Sequence, residues 1–279
     1  MKRTVTGTLI IMLSLVMVML FYSFEKEDRR FQNALSYEVV QKWELPGELK
    51  EVSAIEWIGD NKMAAVQDED GIIFIYDLAK GKIDRKIQFG EGGDYEGLRI
   101  SEGTAYVLRS DGTVFEVRDY LNPKAGAKAL KTGLAAIRGI DVEGLSFDKA
   151  GKQLLLAVKE NKQEKNSRGI YSFDPGKQQS GEQALFRIEL SDPVLKKGKG
   201  KFNPSEIAIH PGTGDYYVLD GRNPKLLILD KNGKPKKLEL LNKDDFSKPE
   251  GLSFAPDGTL YISNEAGDGP ANILQVDLK

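Results

Sequence analysis

The sequence contains no cysteine and only one histidine, His210. Without cysteine, disulfide bonds, thiolate catalysis and cysteine-ligated zinc sites are excluded. His210 lies in AIHPGTGDYY, which is predicted to be a turn between two strands, and no nucleophile-elbow motif accompanies it. The sequence therefore supports neither a histidine-rich metal site nor a Ser-His-Asp triad.

The sequence also lacks a strong excess of charge of one sign. It has 40 lysine and arginine residues against 42 aspartate and glutamate residues, a formal net charge of −2 at pH 7. This balance gives no general electrostatic reason to bind nucleic acid or acidic lipid. We therefore expect no nucleic-acid partner, and other ligands must be inferred from local clusters of residues. The protein is expected to be a monomer.

Only one long hydrophobic run is present, VTGTLIIMLSLVMVMLFYSF at Val5–Phe24. Its 20 uncharged residues are enough to cross a bilayer as a helix, and no small-residue cleavage site follows them. We predict that residues 1–24 are an uncleaved membrane anchor, with Lys2 and Arg3 on the cytoplasmic side and the rest of the chain outside the membrane. A cleaved signal, which would release a secreted or periplasmic protein, is the alternative. Residues 25–36 are predicted to form a short solvated stalk.

The rest of the chain, residues 37–279, consists of short apolar or alternating runs bounded by Gly, Asp, Asn and Pro, without long runs of helical period. One motif opens five successive units, at intervals of 43, 47, 62 and 45 residues. These openers are EVSAIEW around Ser53, DYEGLRI around Glu96, DVEGLSF around Glu143, NPSEIAI around Ser205 and KPEGLSF around Glu250. Two or three strand-like runs follow each opener. Four antiparallel strands in a unit of about 45 residues are typical of a β-propeller blade.

The repeats predict an all-β fold, a β-propeller of five four-stranded blades, with six blades as the alternative. The 62-residue interval is interpreted as an insertion, because DPGKQQSGEQ and SDPVLKKGKGKFNP are loop-like in composition. The last unit has only three strands of its own. We predict that SYEVVQKWELP, Ser36–Pro46, supplies its fourth strand and closes the ring.

Three of the five openers carry glutamate at the same position. The innermost strand of each blade lines the channel of a propeller, so Glu96, Glu143 and Glu250 are predicted to converge there, with Ser53 and Ser205 in the same column. Carboxylates held close together repel unless a cation or basic groups keep them ionised. Oxygen ligands without Cys or His favour calcium, or less often magnesium or manganese. The alternative is that EGL only forms a turn that starts a strand.

Charged residues also recur where the second strand of each unit ends, on the face where the openers begin. We predict that they form a ligand face, whose candidate members are Asp68, Glu69, Arg109, Lys159, Asp220, Asn264 and Glu265. Arg109 and Lys159 have two interpretations. Either they neutralise the opener glutamates in place of a metal, or they hold an anionic small ligand beside the cation. An envelope protein is the other class of partner that we consider.

With these openers, the chain resembles the SdiA-regulated family of bacterial β-propellers over roughly Leu45–Leu278. The resemblance rests on serine in the first and fourth openers (VSAI, PSEI), glutamate in the other three (YEGL, VEGL, PEGL), and GTLYISNE in the last unit. The fourth opener has Glu206 where glycine is usual. Family members are similar to calcium-dependent phytase-like propellers and are linked to calcium homeostasis at the bacterial envelope. The resemblance therefore implies calcium, with Glu96, Glu143 and Glu250 as ligands.

Taken together, these observations predict a membrane-anchored, extracytoplasmic propeller that binds calcium at the channel mouth and acts as a binding or calcium-homeostasis module. The alternative is a calcium-dependent, phytase-like phosphoesterase in which bound metal activates water and Arg109 and Lys159 hold the phosphate. A third hypothesis is a structural scaffold that binds no metal. No catalytic residue is assigned.

Overall fold

The computed structural model describes residue 17 and residues 36–122 and 124–279. The predicted anchor and stalk lie outside this part of the chain, apart from Met17 and Ser36. Among the described residues, no helix combines the length and hydrophobicity needed to cross a bilayer. Two compact units are present: the propeller unit, residues 39–277, and a small terminal unit, of which residues 36–38 and 278–279 are described. In the terminal unit, the Lys279 N–H donates to the Ser36 carbonyl at 2.8 Å.

The strands form five antiparallel sheets, which confirms five blades. The first strand of the chain, β1 (Tyr37–Glu44), belongs to the last blade. Blade 1 consists, from the inner to the outer strand, of β2 (Val52–Gly59), β3 (Lys62–Gln67), β4 (Ile72–Asp77) and β5 (Lys82–Gln88). Blade 2 consists of β6 (Tyr95–Ser101), β7 (Thr104–Arg109), β8 (Thr113–Arg118) and β9 (Ala127–Lys131).

The remaining three blades repeat this order. Blade 3 consists of β10 (Ile140–Asp148), β11 (Gln153–Asn161) and β12 (Ser167–Asp174), with β13 (Gln179–Ser180) and β14 (Phe186–Glu189) both pairing with β12 as its outer edge. Blade 4 consists of β15 (Pro204–Ile209), β16 (Tyr216–Asp220), β17 (Lys225–Leu229) and β18 (Pro235–Leu240). Blade 5 consists of β19 (Pro249–Phe254), β20 (Leu260–Asn264), β21 (Asn272–Leu278) and finally β1.

The long interval between the third and fourth openers lies in blade 3 and the connection that follows it. It contains the two-residue strand β13 and a 3₁₀ helix, Pro193–Gly198. Asp192 caps this helix, because its side chain accepts a hydrogen bond from the Val194 N–H at 2.8 Å. Two further 3₁₀ helices, Gly47–Leu49 and Gly133–Ala136, precede the inner strands of blades 1 and 3.

The inner strands touch one another in cyclic order, with β19 against β2, and so surround a central channel. The hydrophobic core lies between neighbouring blades rather than within a single sheet. This arrangement explains why second strands such as β11, with LLLAV at residues 154–158, are continuously apolar: both of their faces are covered. Outer strands such as β5 are largely exposed and correspondingly polar.

The N-terminal strand closes the ring as predicted, because β1 pairs with β21 at the outer edge of blade 5. The Leu45 N–H donates to the Ala271 carbonyl at 2.7 Å, just beyond the end of β1. Trp43 packs against Tyr261, with ring centroids 6.2 Å apart, and its indole N–H donates to the Leu78 carbonyl of blade 1 at 2.9 Å. The closing strand therefore joins the last blade to the first.

Candidate functional site

The propeller mouth is defined here as the face at which the five inner strands begin and the five second strands end. Strand register places the two sets side by side. The paired residues at the mouth are Val52 and Gln67, Tyr95 and Arg109, Asp141 and Glu160, Pro204 and Asp220, and Pro249 and Asn264. The ligand-face residues predicted from the second strands therefore lie at or next to the strand ends on this face.

Every opener has a shift in its pairing register at the same position, which is called the column residue. The column residues are Ser53, Glu96, Glu143, Ser205 and Glu250. The shifts fall between Val52 and Ala54, Tyr95 and Gly97, Val142 and Gly144, Pro204 and Glu206, and Pro249 and Leu252. In blades 1 to 4 the shift leaves one residue without a partner in register, namely Ser53, Glu96, Glu143 or Ser205. In blade 5 the shift spans two residues, Glu250 and Gly251. Such β-bulges redirect a side chain and are common beside functional sites.

Glycine follows the glutamate at points where the neighbouring inner strand lies in close contact. A Cβ atom at Gly144 would lie 2.8 Å from the Cβ of Ala157 and 3.1 Å from the Ile207 nitrogen in blade 4. A Cβ atom at Gly251 would lie 2.8 Å from the Ile55 nitrogen in blade 1. The EG pair in the openers thus combines a bulged acid with a contact that only glycine permits.

Glu96, Glu143 and Glu250 interact electrostatically. Burial, followed by the charges of Glu143, Asp94 and Glu250, raises the pKa of Glu96 to about 9. Burial raises the pKa of Glu143 to about 8, with Glu250 adding to the shift, and burial raises the pKa of Glu250 to about 7. Because the three acids influence one another, they occupy one neighbourhood at the mouth. A bound cation would favour their ionised forms.

Lys159 is the basic group nearest this neighbourhood. Its ammonium group is bound to Glu143 Oε1, and its charge lowers the pKa of all three glutamates. Burial opposes protonation of Lys159, but Glu143, Glu250 and Asp141 keep its pKa above the ordinary value. Glu143 Oε2 is buried and has no hydrogen-bond partner among the described residues.

Arg109 is engaged elsewhere. Its Nε and Nη2 atoms donate to Asp111 at 3.1 and 2.7 Å, and its guanidinium carbon lies 5.4 Å from the centre of the Phe115 ring. The expectation that Arg109 and Lys159 together neutralise the opener glutamates is therefore met by Lys159 alone. Arg109 stabilises the turn that follows β7.

The acids at the boundary between blades 5 and 1 form a second negative group. Burial, then Glu51, Glu265, Glu69 and Asp94, raises the pKa of Asp68 to about 6. Asp68 Oδ1 is a buried oxygen without a hydrogen-bond partner among the described residues. Glu265 is paired with Lys248 at 2.8 Å.

Asp220 and Asn264, two residues of the predicted ligand face, are buried and make hydrogen bonds or ion pairs within the protein. Asp220 is fully buried, lies 3.2 Å from Lys225 Nζ and accepts the Asn223 N–H at 3.0 Å. Asn264 is also fully buried and donates to the Asp245 carbonyl and to Asn272 Oδ1 at 3.0 and 2.8 Å. Asp220 thus holds a turn, whereas Asn264 Oδ1 has no hydrogen-bond partner within the described chain.

A buried charged cluster that the sequence analysis did not identify fills the channel farther from the mouth. Arg99, on β6 and 4% exposed, donates from Nη1 and Nη2 to carbonyl groups of four inner strands. These acceptors are Ile55 at 3.3 Å, Leu98 at 2.6 Å, Ile207 at 2.7 Å and Leu252 at 3.0 Å. In the sequence, Arg99 stands three residues after Glu96, whereas the other four openers carry Glu, Ser, Ala and Ser at the equivalent position. This departure from the repeat is the sequence feature that marks Arg99.

Glu206 completes this cluster. Its Oε1 atom accepts the N–H groups of Leu145 in β10 and Ile207 in β15, each at 2.8 Å, and lies 3.3 Å from Arg99 Nη2. Glu56 Oε2 lies 3.6 Å from Arg99 Nη1 and accepts the Ser253 hydroxyl at 3.0 Å. All five inner strands are linked by these contacts. The mouth is therefore the open end of a cup whose floor is the Arg99 cluster.

The oxygen atoms at the mouth suit a hard cation in chemical type, because they come from carboxylates and one amide and include buried atoms without donors. In residues 36–122 and 124–279, however, no three acidic side chains stand close enough together to hold one ion as they are placed. A cation would require the glutamates to draw together around it. Glu96, Glu143 and Glu250 are the residues that would hold it.

The family profile described as SdiA-regulated matches residues 32–268, which include all five openers. The chain belongs to the SdiA-regulated family. The match confirms the resemblance that was noted from the openers. No curated protein is similar in sequence at a significant level.

Solved structures with the same fold are distant in sequence. A glutaminyl cyclase from Myxococcus xanthus has 11% identity and a TM-score of 0.61, over 87% of this chain and 96% of that one. A PQQ-bound aldose sugar dehydrogenase from Streptomyces coelicolor has 11% identity and a TM-score of 0.55, over 88% and 98%. A structural genomics protein of unknown function from Bacteroides thetaiotaomicron has 12% identity and a TM-score of 0.54, over 86% and 76%. These likenesses show the fold alone.

Proposed function

We propose that this SdiA-regulated propeller binds calcium at its mouth and acts as a binding module in calcium homeostasis at the cell envelope. The proposal is carried by one observation: Glu96, Glu143 and Glu250 each lie in a bulge of an inner strand and share one neighbourhood, in which Glu143 is buried and Glu96 and Glu250 are half-buried. A scaffold would gain nothing from three such acids, because like charges that are buried together destabilise the fold.

Calcium suits this neighbourhood better than other biological cations. The side chains around it supply carboxylate oxygens and no sulfur or imidazole, so Zn²⁺ and Cu²⁺ are disfavoured. Three glutamates and one lysine leave a net charge of about −2 when all are ionised, which one divalent cation would balance. Mg²⁺ demands stricter octahedral geometry and is the weaker candidate.

The test is calcium binding by the full-length protein, purified in detergent and dialysed to equilibrium against radioactive calcium. We expect about one saturable site in the wild type and its loss in Glu250→Gln. The matched control is Glu182→Gln, which removes an exposed carboxylate outside the mouth and should bind like the wild type. Absence of saturable binding by the wild type at millimolar calcium would refute the proposal.

We also propose that Val5–Phe24 keeps the protein in the membrane. The support is the sequence itself, since this run lies outside the described residues apart from Met17. In the propeller unit, β1 runs toward the mouth, because Leu45 beyond its end pairs with Ala271 just before β21. Val39, where the propeller unit begins, therefore lies on the face of that unit opposite the mouth.

Membrane fractionation tests the anchor. We expect the full chain to remain in the membrane pellet after carbonate extraction. Recovery of a soluble form that begins near Glu25 would instead favour a cleaved signal.

The phosphoesterase alternative assigns a phosphate to Arg109 and Lys159. Both are bound to acidic partners, Arg109 to Asp111 and Lys159 to Glu143, and Arg109 is held by the turn that follows β7. These contacts favour the binding role over hydrolysis.

A further inference from the structure

In blade 3 a register shift on the second strand places Lys159 at the mouth. In the pairing of β10 with β11, Asp141 is opposite Glu160 and Val142 is opposite Val158, so Lys159 has no partner in register. Glu143 is the unpaired residue of β10, because the register shifts again between Val142 and Gly144. In the other four described pairings no lysine lies at such a position, and the corresponding residue of blade 5 is Ser263. Two bulged residues on adjacent strands thus form an ion pair.

The ammonium group of Lys159 influences every acid of this neighbourhood. It contacts Glu143, and its charge acts on Glu96, Glu250 and Asp141. The other charges that act on these acids are Asp94, Asp220, Glu160, Glu265, Lys248 and Arg222. Lys248 and Arg222 already have acidic partners of their own, Glu265 and Glu160. Lys159 is therefore the internal counterion of the glutamates.

We propose that Lys159 competes with the divalent cation for the opener glutamates and thereby sets the affinity of the site. This inference rests on the proposed function. Cation binding requires the ammonium group to leave Glu143 Oε1, and Asp141, two residues earlier on β10, is the acid that can receive it. The Lys159 side chain is 21% exposed, so it can turn toward the mouth without crossing the core.

The competition also explains why the glutamates are not gathered as a ready metal site. The ammonium group of Lys159 is a compact point charge that contacts Glu143 Oε1, whereas Glu143 Oε2 has no hydrogen-bond partner in the part of the chain that the structure describes. A divalent cation can bind several carboxylates at once. Exchange of lysine for a cation would thus satisfy an oxygen that the ion pair leaves unpaired.

The test is calorimetric titration of calcium into full-length protein in detergent, with wild type, Lys159→Met and Lys162→Met. Lys159→Met keeps the length of the side chain and removes the charge that repels the cation at short range. We expect its Kd for calcium to fall on the order of tenfold or more. Lys162, three residues along, is exposed, so Lys162→Met is the matched control and should change the Kd by less than about twofold.

The outcomes separate the two proposals. If neither the wild type nor Lys159→Met binds calcium, the proposed function fails. If the wild type binds and Lys159→Met binds equally or more weakly, the competition is wrong and Lys159 supports the site. If only Lys159→Met binds, the lysine occupies the site fully, which supports the competition but removes calcium binding from the native protein.

A second measurement on the wild type remains decisive if Lys159→Met fails to fold. The full-length protein is labelled with an amine-reactive ester, with calcium and with EGTA, and modification of each lysine is followed by mass spectrometry. Release from Glu143 predicts a several-fold rise in Lys159 labelling when calcium is present, with Lys162 unchanged. Labelling of Lys159 that stays constant or falls would overturn the proposal.

Discussion

At the scale of single residues, Glu206 shows how one departure from a repeat changes the channel. The second, third and fifth openers have glycine at this position, whereas Glu206 fills the channel and binds Arg99 and two backbone N–H groups. Burial raises its pKa to about 8 from an ordinary value of 4.5, although Arg99 opposes the shift. The folded state therefore binds this proton more tightly than the unfolded state. Its stabilising contribution is complete below about pH 4.5 and is lost as the pH rises through about 8.

Substitution of Glu206 tests this dependence. Glu206→Gln retains an acceptor for the Leu145 N–H but cannot ionise. We expect the wild type to lose stability relative to this variant between about pH 5 and pH 9, by at most about 1.4 kcal/mol per pH unit. Urea unfolding in metal-free buffer at several pH values measures the difference, with Glu182→Gln as control. Parallel stability curves would show that Glu206 is already ionised at pH 5.

At the scale of strands, the bulge and the glycine after it make the inner strands both a site and a packing surface. Gly251 is the clearest case, because a Cβ atom there would meet Ser263 Oγ at 2.5 Å and the Ile55 nitrogen of the next blade at 2.8 Å. The Ile55 backbone cannot move aside to make room for a methyl group, as the end of a flexible side chain could. The spacing of β19 from β2 therefore depends on glycine.

Gly251→Ala is accordingly expected to lower the free energy of unfolding by about 1–3 kcal/mol, the usual range for overpacking. Gly126→Ala is the control, because among the described residues other than its two chain neighbours no atom lies within 4 Å of the added methyl group. Urea denaturation of both variants measures the effect. Equal stability of the two variants would mean that the blades separate easily at Gly251.

The sequence predicted the strand repeat and the glutamate column because both follow from equivalent positions in successive units. It did not predict the floor of the cup, since Arg99 reaches four strands only once the blades are packed. The partner of Arg109 was also missed, because Asp111 competes for it from two residues away. The bulge at Lys159 depends on a one-residue shift in strand pairing, which the types of the residues around it do not predict.

At the scale of the whole molecule, the ring depends on its closing strand. β1 covers the edge of β21, and Trp43 connects blades 5 and 1 through Tyr261 and the Leu78 carbonyl. Without β1, blade 5 would expose an unpaired edge and part of its apolar face.

A chain that begins at Gly47 is therefore expected to be less stable than one that begins at Tyr37 by several kcal/mol, a large part of a typical domain's stability. Thermal unfolding followed by circular dichroism compares the two chains. Equal melting temperatures would contradict the role of β1 in closure.

The most direct test of the central claim is the melting temperature of the wild type and of Glu96→Gln, each measured across a calcium series and in EGTA. A ligand that binds only the folded state stabilises it by mass action. We predict that calcium raises the wild-type melting temperature in a concentration-dependent way and that Glu96→Gln loses this dependence. A wild-type melting temperature that is the same in EGTA and in millimolar calcium would show that the mouth holds no calcium and that EGL only starts a strand.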